Sequence, residues 1–129
     1  ARRSTKEEIQ EMERILEEQG KEVAAGGTGL AQDAAFHAAI ASSTNNRAIT
    51  RIVHAVIDLL TQSREESLQI AGRPTRSHQD HLRILEAIRG RRAAAARRAM
   101  LDHVVAVETL VMGRQQNARK LNAAKKPRR

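Results

Sequence analysis

An all-α fold is what this sequence predicts, and three observations carry the prediction. Alanine, leucine, glutamate and arginine dominate the 129 residues, and these side chains lose little freedom in a helix. Apolar residues recur at three- and four-residue spacings, the period of one helix face. Residues that favour strands form few runs outside those patterns, and Phe36 is the single aromatic residue. The length suits one domain with one buried core. Short connections between about five helices point to an antiparallel bundle.

The first helix has Ser4 as its expected N-cap, with Glu7 completing a capping box. Ile9, Met12 and Leu16 repeat at helical spacing, with glutamates on the other face. Gly20 or the pair Gly26-Gly27 is the expected stop. A second helix is expected from about Leu30 to Ser43, placing Asp33, His37 and Ile40 on one face. Ser42 to Asn46 reads as a turn. A third helix is expected from about Asn46 to Ala71. Ile49, Ile52, Val53, Val56, Leu59 and Leu60 make its apolar stripe broad enough for a central or interface position. Gly72-Arg73-Pro74 is a break. A fourth helix from about Thr75 to Arg89 carries His81, Leu85 and Ile88 on one face, with Gly90 as its C′ residue. A fifth runs from about Arg92 to Asn117, with Met100, His103, Val104 and Val107 on its stripe.

Charge is unevenly placed. The net charge is +8, yet glutamates outnumber basic residues in the first helix. Residues 114–129 hold seven Lys/Arg and no acid. The expected division is therefore a helical domain over 1–113 and a basic, disordered tail over 114–129. A basic protein coating nucleic acid is one reading of that tail. The aromatic platforms that grip single strands are missing. There is no cysteine, which excludes disulfides, thiol nucleophiles and thiolate metal sites and fits a cytoplasmic location. No apolar run has the roughly 20 residues that span a bilayer, and no signal peptide is visible.

Asp33 and His37 stand four residues apart, one helical turn on one face. His81 and His103 lie on the inward stripes of two other helices. A lone histidine on an apolar face is ordinarily a core residue with a satisfied hydrogen bond. Three histidines and an aspartate facing inward would be costly to bury unpaired, and one divalent ion would satisfy them together. His54 falls off its helix's main stripe, and His78 reads as a solvent-facing residue at a helix start. There is no phosphate loop, no Ser or Cys with a base beside it, and no His-Glu-x-x-His helix. Neither Glu86 nor Asp102 is placed as a general base, so the expectation is not an enzyme. The alternative from another class is a helical zinc enzyme acting on a small organic acid.

Taken in order, the motifs are Asp33-x-x-x-His37 with Phe36, then Ser43-Thr44-Asn45-Asn46 and an aliphatic helix. His81-Leu-Arg-Ile-Leu-Glu-Ala-Ile88-x-Gly90 and Ala96-Arg-Arg-Ala-Met100-Leu-Asp-His103 follow. This series resembles the C-terminal effector domain of FadR-like transcription regulators, within the GntR family, over about Thr5 to Val111. The resemblance implies a cytoplasmic homodimer of helical bundles that binds a small carboxylate effector. It also implies a divalent metal, zinc or else nickel, held by Asp33, His37, His81 and His103 as in the metal-binding branch. Asn46 and Arg51 are its further candidates for effector contact.

Two departures from the family pattern stand out. The winged helix-turn-helix and the first effector-domain helix are not among these residues, so DNA contact is expected only through a domain outside them. Arg91-Arg92 occupies a place where the family often has an acid that caps the last helix; arginine at that positive helix end is unfavourable by up to about 1 kcal/mol.

Overall fold

The structure, a computed structural model, describes residue 1 and residues 4–124; at 114, 115 and 118–124 it describes the backbone alone. Among the described residues there are helices and no strands: α1 (Lys6–Ala24), α2 (Leu30–Ser42), α3 (Arg47–Leu59), α4 (Thr61–Leu68), α5 (Arg73–Arg89) and α6 (Ala93–Ala124). None is long and apolar enough to cross a membrane.

The start of α1 lies one residue beyond the expected cap. Thr5 is the N-cap: its hydroxyl accepts from the Glu8 N–H at 3.1 Å, and the Glu8 carboxylate accepts from the Thr5 N–H at 2.7 Å. Ser4 is instead buried. Gly20 does not stop the helix. It faces α5, where an added Cβ would lie 2.9 Å from the His78 ring. His78 is accordingly half-buried rather than solvent-facing, with Nε2 2.9 Å from the Leu16 carbonyl. The chain leaves α1 where Gly26 takes a positive φ, a conformation open to glycine at little cost.

The expected third helix is two helices. The break falls at Leu60, which carries no glycine or proline signal. Thr61 turns its hydroxyl back onto the Ile57 carbonyl at 2.9 Å, a contact that bends helices. The split sends α4 toward α2, α5 and α6 and so delivers Arg64 to the interior. Asn46 caps α3 by accepting from the N–H groups of Ala48 and Ile49. No residue of α3 is buried, so α3 is peripheral and not central. Its stripe of Ile49, Ile52, Val56 and Leu59 is exposed.

Helix α5 begins at Arg73, with Pro74 in its first turn where a missing N–H costs nothing. At its other end the left-handed position belongs to Arg91 (φ 56°), not to Gly90. Arg91 donates to the carbonyls of Ala1 and Ser4, and Arg92 donates to that of Glu86. Both guanidiniums thus serve carbonyl oxygens, which offsets the charge conflict expected at the start of α6. Helix α6 extends past Asn117 to Ala124; the rest of the basic tail lies outside the described residues.

The core sits where α1, α2 and α5 meet: Met12, Ile15, Leu16, Phe36, Ile84, Leu85 and Ile88, with Ala96, Ala99 and Met100 of α6 packed on it. Phe36 is fully buried, its ring tilted 38° against that of His81 at 4.8 Å. The core therefore ends at a histidine.

Candidate metal centre

Helix α2 supplies Asp33 and His37 one turn apart; α5 supplies His81 and α6 His103. Each offers one ligand atom, and the four atoms lie within 4.8 Å of one another. The three imidazole centroids are 4.8–5.4 Å apart. Asp33, His81 and His103 are buried, and His37 partly so. All four residues that sequence spacing singled out thus come together. His54 is exposed, as are Glu86 and Asp102.

Hydrogen bonds on the outward side of the rings fix what faces inward. His81 Nδ1 is 3.0 Å from Gln19 Oε1, and His103 Nδ1 is 3.4 Å from Asp80 Oδ2. Both partners are oxygens, which accept; with the hydrogen on each Nδ1 to serve them, each Nε2 is left with a lone pair. For His81 this leaves Nε2 buried with no hydrogen-bond partner, although Asp33 Oδ1 is only 3.2 Å away. The approach is close, but it sets a lone pair against a carboxylate oxygen. A cation between them turns the repulsion into attraction. Three imidazole nitrogens and one carboxylate oxygen form a donor set suited to zinc and similar borderline ions. Outward carboxylate or carbonyl partners are what metal-ligating histidines ordinarily have. The residues present fit a divalent metal.

Electrostatics favour the same assignment. Burial lowers the pKa of His37 to about 4. It does the same for His103, aided by His37 and opposed by Asp80. Burial, then the neighbouring His37 and His103, pushes His81 far down as well. The rings are neutral near pH 7, the state a metal requires. A depressed folded-state pKa means that the unfolded chain takes up protons first. The metal-free protein is therefore expected to lose stability as pH falls from about 6.5 to about 4, on the order of 3 kcal/mol at the limit for either imidazole. Urea midpoints across that range check this; a flat profile would contradict it.

Asp33 is held from both sides. Ser77 donates to Oδ1 at 3.1 Å, and the Arg64 guanidinium pairs with Oδ2. Arg64 is the residue sequence reading missed: it sits in a polar stretch and reaches the interior only through the bend at Leu60. Arg64 is half-buried; Arg73, which is buried, lies close enough to lower the pKa of Arg64 further, after burial. Two guanidiniums beside a cluster of neutral imidazoles make this end of the bundle attractive to anions. Of the other two candidates, Asn46 is occupied as the α3 cap and Arg51 is exposed. A surface groove of about 1030 Å³ between α1 and α5 is lined by none of the four ligand candidates. Ligand chemistry, not pocket size, locates the site.

Comparison with known proteins gives the family. The model of the FCD domain matches residues 1–106. The chain belongs to the FCD-domain family. It is the effector-binding type of domain found in GntR-type regulators. The HTH-type transcriptional regulator LutR of Bacillus subtilis (strain 168) is 30% identical over 118 residues, covering 88% of this chain and 54% of that protein. The chain thus spans about half the length of this relative. The similarity runs to a transcriptional regulator and not to a catalytic family, which sets aside the zinc-enzyme alternative. No solved structure matches the chain significantly.

Proposed function

We propose that this FCD domain is the metal-dependent, small-carboxylate-sensing and dimerising part of a cytoplasmic transcription regulator. DNA contact then belongs to a winged helix-turn-helix outside these residues. Asp33, His37, His81 and His103 are the proposed ligands, and zinc the proposed ion, with nickel second. The observation that carries the reading is the convergence of these four side chains, with His81 Nε2 set 3.2 Å from Asp33 Oδ1. When bound, the ion supplies positive charge to which a carboxylate oxygen can coordinate.

The chain's own residues do the rest. Arg64 is the proposed partner for a carboxylate, because charge-assisted bonds to a guanidinium are strong and directional. Sensing also needs an effector that prefers one arrangement of helices over another. The ligands are spread over α2, α5 and α6, so a molecule bridging the ion and Arg64 pulls on α4 as well. That differential is what a regulator can transmit. A thermal-shift screen of small carboxylic acids tests the proposal. Some acid is expected to raise the melting temperature of the metal-loaded chain and lose its effect after EDTA. Stabilisation that survives EDTA would contradict it.

Homodimerisation has support in α3. Four large aliphatic side chains on one exposed stripe, Leu59 at 81% exposure, form the kind of apolar surface that a subunit interface covers. Ile52→Glu is expected to shift the chain from dimer to monomer in sedimentation equilibrium while leaving metal uptake unchanged. A dimer that persists would place the interface elsewhere.

A further inference from the structure

We infer that Gln19 of α1 is a positioning residue for the site: it fixes the tautomer in which His81 turns a bare Nε2 toward the ion. The inference rests on the metal reading above and extends it to a helix that contributes no ligand.

Gln19 is out of place on hydrophobic grounds. It is fully buried on a helix whose other buried residues are Met12, Ile15 and Leu16. Burying an amide costs free energy unless its atoms are engaged, and an apolar residue of the same length would fill the space without that cost. What the amide provides is an oxygen 3.0 Å from His81 Nδ1. A neutral imidazole has one N–H. If it were on Nε2, it would point at Asp33 Oδ1, 3.2 Å away, and the two ligands would satisfy each other with no ion. The carbonyl of Gln19 selects against that state by holding the hydrogen on Nδ1. Its cost is visible: Gln19 Nε2 is buried with no hydrogen-bond partner.

The side chain is itself held in place. Gly29, at φ +66°, leaves the space against which it rests; a Cβ there would come within 3.0 Å of Gln19 Cγ and 3.3 Å of Val23. The turn between α1 and α2 therefore leaves room for the Gln19 side chain, and Gln19 in turn contacts the His81 ring. Turned over, the amide would donate to Nδ1 and favour the opposite tautomer, so the orientation has a measurable consequence.

Two variants separate positioning from packing. Gln19→Glu keeps an acceptor and brings a buried charge; Gln19→Met keeps apolar volume and removes the acceptor. Cobalt(II) serves as the probe, with affinity from chelator competition and the d–d spectrum as a signature of ligand geometry. Q19E is expected to bind within about threefold of wild type or more tightly. Q19M is expected to bind about 10- to 100-fold more weakly, the usual effect of losing a ligand's outer partner. Q19M at wild-type affinity, or both variants weakened alike, overturns the inference. Imidazole nitrogen shifts of the metal-free wild-type chain provide a second readout that needs neither variant. His81 with its hydrogen on Nδ1 supports the inference, and the hydrogen on Nε2 overturns it. A wild-type chain that takes up no cobalt would overturn the metal reading and this inference together, a result distinct from either failure above.

Discussion

His81→Ala is expected to weaken divalent-metal binding by more than about a hundredfold, since losing only an outer partner of a ligand already costs 10- to 100-fold. The ring sits at the centre of the cluster. It is fully buried, 4.8 Å from the His103 ring and 5.0 Å from the His37 ring, and 3.2 Å from Asp33. Competition with a chromophoric chelator measures the affinity. The metal-free variant should lose less stability than the loss of a well-packed side chain of that size would suggest, because burying Nε2 without a hydrogen-bond partner is itself unfavourable. His54→Ala, at an exposed position on α3, is the control and should bind as wild type. Equal affinities in the two variants would remove His81 from the ligand set.

Arg64→Met should act differently. The Arg64 guanidinium pairs with Asp33 Oδ2 in the interior. Removing one member of a buried pair leaves an uncompensated charge and typically costs about 3–5 kcal/mol. The metal-free variant is expected to melt well below wild type. Metal should then restore more stability to it than to wild type, because the ion becomes the remaining countercharge for Asp33. Carboxylate affinity of the loaded variant should fall about 10- to 100-fold, the worth of one charge-assisted hydrogen bond. Calorimetric titration of the loaded proteins with the acid found by thermal shift measures the last effect. Unchanged acid affinity would move the effector contact away from Arg64.

The four clustered side chains were legible in the sequence and their supports were not, for a physical reason. Asp33, His37, His81 and His103 lie on helix faces whose period can be counted, and the helix that carries His81 starts at a plain signal, Gly72. Gln19 and Asp80 do not stand out that way. Glutamine in an acidic helix reads as surface, and Asp80 directly precedes His81 in sequence. Only the packing of α1 and α6 against α5 turns them toward the rings. Arg64 was hidden for a further reason. Its inward turn depends on the bend at Leu60, made by a threonine hydroxyl bonding back to a carbonyl, and threonine carries little breaking signal of its own. The broad stripe of α3 left two positions open, central or at an interface, and the first is ruled out because none of its residues is buried. Periodicity gave its amphipathic character correctly, but whether such a face is covered by this chain or by another is not written in the period. Similarly, Thr5 prevailed over Ser4 as the α1 cap, two hydroxyls one residue apart each with a glutamate three residues on.

The central claim is that one divalent ion sits among four side chains from three helices. Crystals of the zinc-loaded chain, measured on both sides of the zinc absorption edge, test it most directly. The account predicts one anomalous peak per chain, within bonding distance of Asp33, His37, His81 and His103. A loaded crystal whose only zinc lay at surface residues, with the four side chains joined to one another alone, would contradict it.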